Sequence, residues 1–204
     1  MAFRKNNESQ GYSEVQPLKQ EIKVLRQEVR YLKELLENST KDAMTGLGSR
    51  NTFVNEFPKI LSGAFRIGCE LTLVVIDLDD LKKTNDAHGH LAGDALIKAA
   101  AKSISESLRT EDFSYRYGGD EFLILAYSSG ENSAESMLRR LARTMHKNGV
   151  RYSAGFSNTS QFAESMPRKK ITEGNTALLR DMLIKAADEM MYSKKHAKKA
   201  GKRD

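Results

Sequence analysis

Residues 113–127 of the chain read FSYRYGGDEFLILAY, and this stretch decides the fold. Two apolar and aromatic runs, 113–117 and 121–127, flank the pair Gly118-Gly119. Because glycine accepts positive φ and short glycine turns between such runs are typical of hairpins, the stretch predicts two antiparallel strands joined by a tight turn. Asp120 and Glu121 follow the glycines directly, so the predicted hairpin carries two carboxylates beside its turn.

The segments on either side of the hairpin alternate between helix and strand patterns. A continuous apolar run at 71–76 and a second run at 150–156 predict two further strands. Helices are predicted near 49–62, near 93–108, near 133–147 and from about 176. This alternation predicts an α/β (α+β) sandwich, in which helices flank one central sheet. The hairpin makes that sheet mixed and largely antiparallel rather than purely parallel.

Upstream of this domain, apolar residues recur with alternating spacings of three and four. They are Val15, Leu18, Ile22, Leu25, Val29, Leu32 and Leu36. β-Branched residues dominate one set of these positions and leucine fills the other, which favours a parallel two-stranded coiled coil. The flanking charges agree, since each glutamate stands five residues before a cation. The pairs are Glu14 and Lys19, Glu21 and Arg26, and Glu28 and Lys33.

These patterns divide the chain into three segments. We expect a disordered N-terminus at 1–13, a parallel dimeric coiled-coil helix at 14–40 and one compact domain at 41–204. The alternative for the second segment is an amphipathic helix that packs on its own domain.

Composition limits the class of protein. The 204 residues are 39% hydrophobic and 29% charged, with no apolar run long enough for a membrane span and no secretory leader pattern at the N-terminus. A single cysteine, Cys69, allows no internal disulfide, so we expect a cytoplasmic protein. The net charge of +6 is concentrated from Lys194 onward, where six cations face one carboxylate. Such a short basic tail argues against a nucleic-acid partner, which usually meets a basic face spread over a domain.

Two acidic groups and one polar segment carry the candidate chemistry. Asp77-Leu78-Asp79-Asp80 ends the predicted strand 71–76, and Asp120-Glu121 follows the hairpin turn. Each group alone is typical of a solvated turn, but together on adjacent strands they would suit Mg²⁺ and phosphoryl chemistry. Within 85–94, Asn85 and Asp94 could read a guanine edge, although Asp94 could instead simply favour a helix N-terminus.

Four motifs, in order and in spacing, resemble the GGDEF family of diguanylate cyclases. They are Arg116 to Phe122 (RYGGDEF), Asp42 to Arg50 (DAMTGLGSR), Asp77 to Asp94 (DLDDLKKTNDAHGHLAGD) and Ala187 to Lys195 (ADEMMYSKK). The resemblance covers about 42–200. It implies a core like that of adenylyl cyclases and polymerase palms, which joins two GTP into cyclic di-GMP and releases pyrophosphate.

The resemblance also implies roles for individual residues. A divalent cation, Mg²⁺ or Mn²⁺, would be bound by Asp77, the Leu78 carbonyl, Asp120 and Glu121. Catalysis would depend on Asp120 and Glu121, the latter either as a metal ligand or in deprotonating the 3′-hydroxyl. GTP would be bound by Asn85, His90, Asp94, Leu81, Lys82, Lys195 and Lys199. The last of these stands where the family has arginine, and an overlapping copy of the motif at 197–202 leaves its register open.

A regulatory motif precedes the hairpin. Arg109-Thr110-Glu111-Asp112 resembles the family's Arg-x-x-Asp inhibitory site, which binds the product, and Arg139 or Arg140 could complete it. The alternative is an exposed helix-end ion pair. Because one domain would hold one GTP, the reaction needs a homodimer, which the coiled coil would supply. Two other functions stay open: a catalytically inactive cyclic di-GMP receptor, and a coiled-coil protein that binds nucleic acid through its basic tail.

Overall fold

The computed structural model describes residues 5–37, 40–128, 131–165 and 173–200, and the chain forms two compact units, Met1–Ser39 and Thr40–Asp204. The first unit is one helix, α1, at Lys5–Glu37. Helix α1 includes residues 5–13, where the sequence predicts disorder. Residues 1–4 lie outside the described part of the chain.

The apolar stripe of α1 is exposed in the single chain. Its members Leu18, Ile22, Leu25, Val29 and Leu32 each leave between 49% and 57% of their surface accessible. The side chains of the two end members of the stripe, Val15 and Leu36, lie outside the description. No helix in the described residues is long and apolar enough to cross a bilayer.

The second unit is built on a five-stranded sheet. Its elements are β1 (Gly48–Ser49), α2 (Arg50–Arg66), β2 (Glu70–Leu78), α3 (Leu81–His88), α4 (His90–Ser107), β3 (Phe113–Arg116), β4 (Glu121–Ser128), α5 (Glu131–Lys147), β5 (Tyr152–Asn158), a 3₁₀ turn (Thr159–Phe162) and α6 (Glu173–Ala200). The strand order is β1-β3-β4-β2-β5. Only the β1–β3 pair is parallel among these strands. The predicted mixed, largely antiparallel sheet with flanking helices is confirmed.

Two elements escaped prediction for lack of a local signal. Helix α3 buries none of its residues, so it shows no apolar stripe. Strand β1 has two residues, too few for any alternation. The helix predicted near 93–108 begins earlier, at His90, and the helix predicted near 49–62 continues to Arg66.

Side-chain parity divides the core into two layers. Along β2, Val74, Ile76 and Leu78 pack with α4 and α5, whereas Leu71, Leu73 and Val75 pack with α2 and α6. Strand β4 alternates in the same way: Phe122 and Ile124 belong to the first layer, and Leu123 and Leu125 to the second. Successive strand residues point to opposite faces, so the next odd positions, Asp77 and Glu121, lie at the end of the α2/α6 face.

Candidate active site

Two carboxylates meet at the end of the central strand pair. Asp77 and Glu121 are directly opposed partners in the antiparallel register of β2 and β4. The Leu78 backbone N–H donates to the carbonyl of Asp120 at 3.1 Å, which fixes Asp120 beside the end of β2. Like charges directly opposite in a sheet are destabilising. The protein therefore concentrates negative charge here at a cost, as expected of a site that receives a cation.

A lysine from the C-terminal helix approaches these carboxylates. The Lys195 ammonium donates a hydrogen bond to Asp77 Oδ1 and lies 3.9 Å from Asp79 Oδ1. The close packing of α6 on β5 brings it there. A Cβ atom on Gly155 would stand 2.1 Å from the Ala187 carbonyl oxygen and 2.4 Å from the Met191 nitrogen. Only glycine permits this approach, which directs the next turn of α6 toward Asp77.

The charge cluster shifts the ionisation of its members. Burial is the main cause that raises the pKa of Glu121, and three neighbouring carboxylates raise it further. They belong to Asp120, Asp77 and Asp188. Burial by itself would lower the pKa of Lys195, but the hydrogen bond with Asp77 and the nearby acidic charges raise it. Lys195 thus stays protonated and balances part of the carboxylate charge.

The corner between β2 and α3 leads the chain into the N-terminus of a helix. Asp80 adopts a left-handed conformation, with φ of 65°, as the residue before α3. The corner leads the chain directly into the first turn of α3, where the N–H groups of Leu81 and Lys82 lack intrahelical partners. Asp80 forms ion pairs with Lys83, at 2.7 Å, and with Arg151. The negative charge of Asp80 is therefore neutralised by these two cations.

A cleft of about 940 Å³ opens at this edge. The predicted residues among its lining are Asp77, Leu78, Leu81, Lys82, Asp120 and Lys195. In the part of the chain that the structure describes, its lining does not include Asn85, His90, Asp94 or Glu121. The first three lie on α3 and α4, and the side chain of Lys199 lies outside the description. Asn85 Oδ1 is buried without a hydrogen-bond partner among the described residues.

The donor set fits a hard divalent cation. Among the described residues, no three His, Cys, Asp or Glu side chains converge as a finished metal centre would. Mg²⁺ does not require such a centre, since it usually takes one or two carboxylates and completes its shell with water and substrate phosphates. Asp77 and Asp120, which both line the cleft, and a backbone carbonyl would provide that partial shell. The Lys195 ammonium on Asp77 shows that the site attracts positive charge.

One arginine joins the hairpin turn to the start of the domain. Arg116 donates from Nη2 to the Gly119 carbonyl at 2.9 Å and from Nη1 to the Asp42 carboxylate at 3.2 Å. Thr45 also donates to Asp42, from its backbone N–H at 2.9 Å and from its hydroxyl at 2.7 Å. Burial tends to raise the pKa of Asp42, but these hydrogen bonds and the Arg116 charge lower it. The turn that presents Asp120 is thus tied to the first loop of the domain.

The sequence and the fold of this chain resemble those of known proteins. The model of the family described as diguanylate cyclase, GGDEF domain, matches residues 39–201. The chain belongs to the GGDEF family. Among curated relatives, the probable diguanylate cyclase DgcJ of Escherichia coli K12 is 30% identical over 177 residues, which are 87% of this chain and 34% of DgcJ. The chain therefore spans about a third of that relative.

Solved GGDEF structures share the fold. A sensory box/GGDEF family protein from Caulobacter crescentus CB15 superposes with a TM-score of 0.63 at 28% identity, covering 78% of this chain and 99% of the solved chain. The coiled coil and GGDEF domain of DgcB from Caulobacter crescentus, solved with c-di-GMP, gives 0.64 at 23% identity, covering 91% and 94%. At that identity the second likeness concerns the fold alone.

A second polar concavity of the GGDEF domain lies away from the cleft. It is lined by Arg109, Asp112 and Arg140. The backbone N–H of Arg109 donates to Asp112 Oδ2 at 2.9 Å. Burial is the main cause that raises the pKa of Asp112, which the charges of Arg109 and Arg140 oppose. Arg140 also donates to the Ser107 carbonyl at 3.0 Å, whereas Arg139 pairs with Glu135. Of the two arginines considered from sequence, Arg140 is the one that shares this concavity.

Several positioning residues of the GGDEF domain were not predicted. Gly155 admits α6, and the Ser153 hydroxyl donates to Asp79 Oδ1 at 2.9 Å. Arg116 was noted only as part of a motif. The sequence around Gly155 and Ser153 does not indicate that α6 and Asp79 pack against them, because these contacts join distant segments of the chain.

We expect Arg116→Ala to lower the free energy of unfolding by about 2 kcal/mol, because a partly buried carboxylate loses its charged donor. Urea denaturation measures this. Arg139→Ala is the control, since its exposed pair with Glu135 should change stability by no more than about 0.5 kcal/mol. The stabilisation from Asp42 is complete above the ordinary aspartate pKa and is lost as the pH falls through its lowered pKa. Equal losses of unfolding free energy in Arg116→Ala and Arg139→Ala would contradict a stabilising role for the Arg116–Asp42 pair.

Proposed function

We propose that the chain is a diguanylate cyclase that condenses two GTP into cyclic di-GMP and two pyrophosphates. One observation carries the proposal: Asp77 and Asp120 meet at the ends of paired strands, beside the N-terminus of α3 and under Lys195. This arrangement offers carboxylates for a cation and both backbone and side-chain groups for phosphates, which is what nucleotidyl transfer needs. Family membership and the DgcJ relative support it.

The proposed reaction is a pair of in-line substitutions. The 3′-hydroxyl oxygen of one GTP forms a bond to the α-phosphorus of the other, the bond to the β-phosphate bridging oxygen breaks, and pyrophosphate leaves with its electron pair. Repetition in the opposite sense closes the ring. Glu121 accepts or helps to remove the hydroxyl proton. Catalysis then consists mainly of positioning and charge neutralisation.

Recognition of GTP is divided between two parts of the domain. Lys82, Lys195 and Lys199, with the Leu81 and Lys82 backbone, would bind phosphates, while Asn85, Asp94 and His90 would bind guanine. Mg²⁺, or Mn²⁺, would be held by Asp77, the Leu78 carbonyl, Asp120 and Glu121. When bound, such a cation neutralises phosphate charge and lowers the pKa of an attacking hydroxyl.

The reaction requires two domains that face each other. The half-exposed stripe of α1 supports a parallel dimeric coiled coil at 14–40. Burial of these exposed apolar side chains against a second copy of the helix would stabilise the dimer. A homodimer would bring two GTP-loaded sites within reach.

Incubation of the protein with GTP and Mg²⁺, followed by chromatographic detection of cyclic di-GMP, tests the proposal. Cyclic di-GMP and pyrophosphate should appear in a ratio of one to two. Binding of cyclic di-GMP without any turnover would instead favour the inactive receptor. Salt-dependent nucleic-acid binding that is lost on truncation after Tyr192 would favour a coiled-coil protein that binds nucleic acid through its basic tail.

Product inhibition is the regulatory part of the proposal. Arg109, Asp112 and Arg140 would bind the product phosphates and bases in their shared concavity. We expect Arg109→Ala to raise the cyclic di-GMP concentration needed for half inhibition by about tenfold or more, because one charge-assisted phosphate contact is lost. The initial rate without added product should stay close to that of the wild type.

Arg139→Ala is the matched control for this variant, since its side chain lies one residue from Arg140 but pairs with Glu135. It should be inhibited like the wild type. If Arg109→Ala were also inhibited like the wild type, the inhibitory role of this concavity would be refuted.

A further inference from the structure

Gly93 lies in the first turn of α4 and is buried. A Cβ atom at this position would stand 1.9 Å from Asn85 Oδ1, 2.9 Å from its Cγ and 3.2 Å from its Nδ2. Non-bonded heavy atoms do not approach so closely, so a side chain at position 93 would displace the Asn85 carboxamide. The Asn85 side chain therefore occupies the volume that any side chain at position 93 would need.

The backbone at this position does not itself call for glycine. Gly93 has no positive φ, unlike Gly89 immediately before the helix. Glycine inside a helix is less favourable than alanine, because it loses more conformational freedom on folding. The three heavy atoms nearest to a Cβ atom here all belong to Asn85, so the contact with Asn85 is a steric reason for glycine at this position.

The Asn85 side chain lies against Gly93 with one of its polar atoms unsatisfied. Its Oδ1 is buried and has no hydrogen-bond partner among the described residues. On the other side, α3 anchors the residue, since the Asn85 carbonyl accepts from the Gly89 N–H at 2.8 Å. A buried acceptor without a partner is costly unless a ligand completes its hydrogen bond. Asp94 is the following residue of α4.

We propose that Gly93 is a positioning residue for guanine recognition. Its missing side chain seats the Asn85 carboxamide between α3 and α4, so that the amide and the Asp94 carboxylate address one base together. The inference rests on the proposed function, since it assumes that the nucleotide is GTP. It adds that base selectivity depends on a residue that does not touch the base.

The test measures base selectivity without turnover. The probes are 3′-deoxy-GTP and 3′-deoxy-ATP, which lack the attacking hydroxyl, and their dissociation constants are measured by calorimetry with Mg²⁺ on the full chain. We expect Gly93→Ala to lower the preference for the guanine nucleotide by about tenfold or more, because the displaced amide no longer meets the base. Affinity for 3′-deoxy-ATP should not change. A wild-type preference in Gly93→Ala would overturn the inference.

Gly63→Ala is the matched control. Gly63 is also a helical glycine, in α2, and a Cβ atom there would meet only the Tyr127 hydroxyl, at 3.0 Å, and its Cζ, at 3.9 Å. It should retain the wild-type preference. If the wild type itself did not prefer the guanine nucleotide, the proposed function and this inference would both fail. A wild-type preference that persists in Gly93→Ala would remove the inference alone.

A double variant covers a failure of Gly93→Ala to fold. Asn85→Ala/Gly93→Ala removes the side chain that the new methyl group would strike. It should therefore fold and bind both probes as Asn85→Ala does, with no further loss from the second substitution. A double variant that does not fold, or that loses affinity beyond Asn85→Ala, would show that Gly93 acts through some other contact and would refute the proposal.

Discussion

Replacement of Asp120 by alanine should lower the rate of cyclic di-GMP formation by about a thousandfold, which is the scale seen when one group that stabilises transition-state charge is removed. Asp120 follows the glycine turn, and its carbonyl accepts from the Leu78 N–H, which holds its backbone beside the end of β2; Asp120 lines the cleft with Asp77. Without it, the cation would lose one of the carboxylates that are proposed to bind it. Initial rates with GTP and Mg²⁺, measured by chromatography, provide the readout.

Asp181→Ala is the control for loss of a carboxylate. Asp181 lies on α6 with 62% of its side chain exposed and pairs with Arg180. It should turn over GTP at the wild-type rate, and both variants should unfold near the wild-type temperature. A rate for Asp120→Ala above about a tenth of the wild-type rate would be too high for loss of a metal ligand, and would contradict the proposed role.

Disruption of the α1 stripe should have the second largest effect. In the double variant Leu25→Glu/Leu32→Glu, each chain would place two carboxylates where two leucines would otherwise be buried. Each leucine contributes about 2 kcal/mol on burial, so we expect dimerisation to weaken by at least about a hundredfold. Sedimentation measures this weakening directly. At low protein concentration, turnover should fall in parallel and recover as the concentration rises.

Val24→Glu is the control for the coiled coil. Val24 is 55% exposed and lies on the same helix, but it is not part of the stripe. This variant should sediment as the wild type does. If the double variant also sedimented as a dimer with unchanged turnover, the two domains would have to meet through another surface.

Much of the architecture could be predicted from local patterns. The glycine pair at Gly118-Gly119, the continuous apolar run before Asp77 and the stripe of α4, with its period of about 3.6 residues, are local signals, which depend only on neighbouring residues and backbone geometry. These patterns predicted a mixed sheet flanked by helices, with carboxylates at two strand ends. Similarity to a family then assigned roles to these residues, and the family is confirmed. The roles themselves stay predictions.

Contacts between distant segments could not be predicted in this way. Lys195 meets Asp77 across 118 residues of sequence, and it does so because Gly155 lets α6 pack closely on β5. Asp77 opposes Glu121 because β2 and β4 are neighbours in one particular register. Arg140, not Arg139, shares a concavity with Arg109 because α5 turns that face inward.

Local sequence patterns thus identified the elements and the chemistry at their ends. They are a glycine hairpin with Asp120 and Glu121, and a strand that ends in Asp77-Leu78-Asp79-Asp80. Packing identified the partners. The Arg116 link to Asp42, the Lys195 bond to Asp77 and the fit of Asn85 over Gly93 all join residues from separate elements. The physical reason is that a strand or helix pattern records which face of an element is buried. Strand register and helix approach, which are set by the whole core, decide what that face meets.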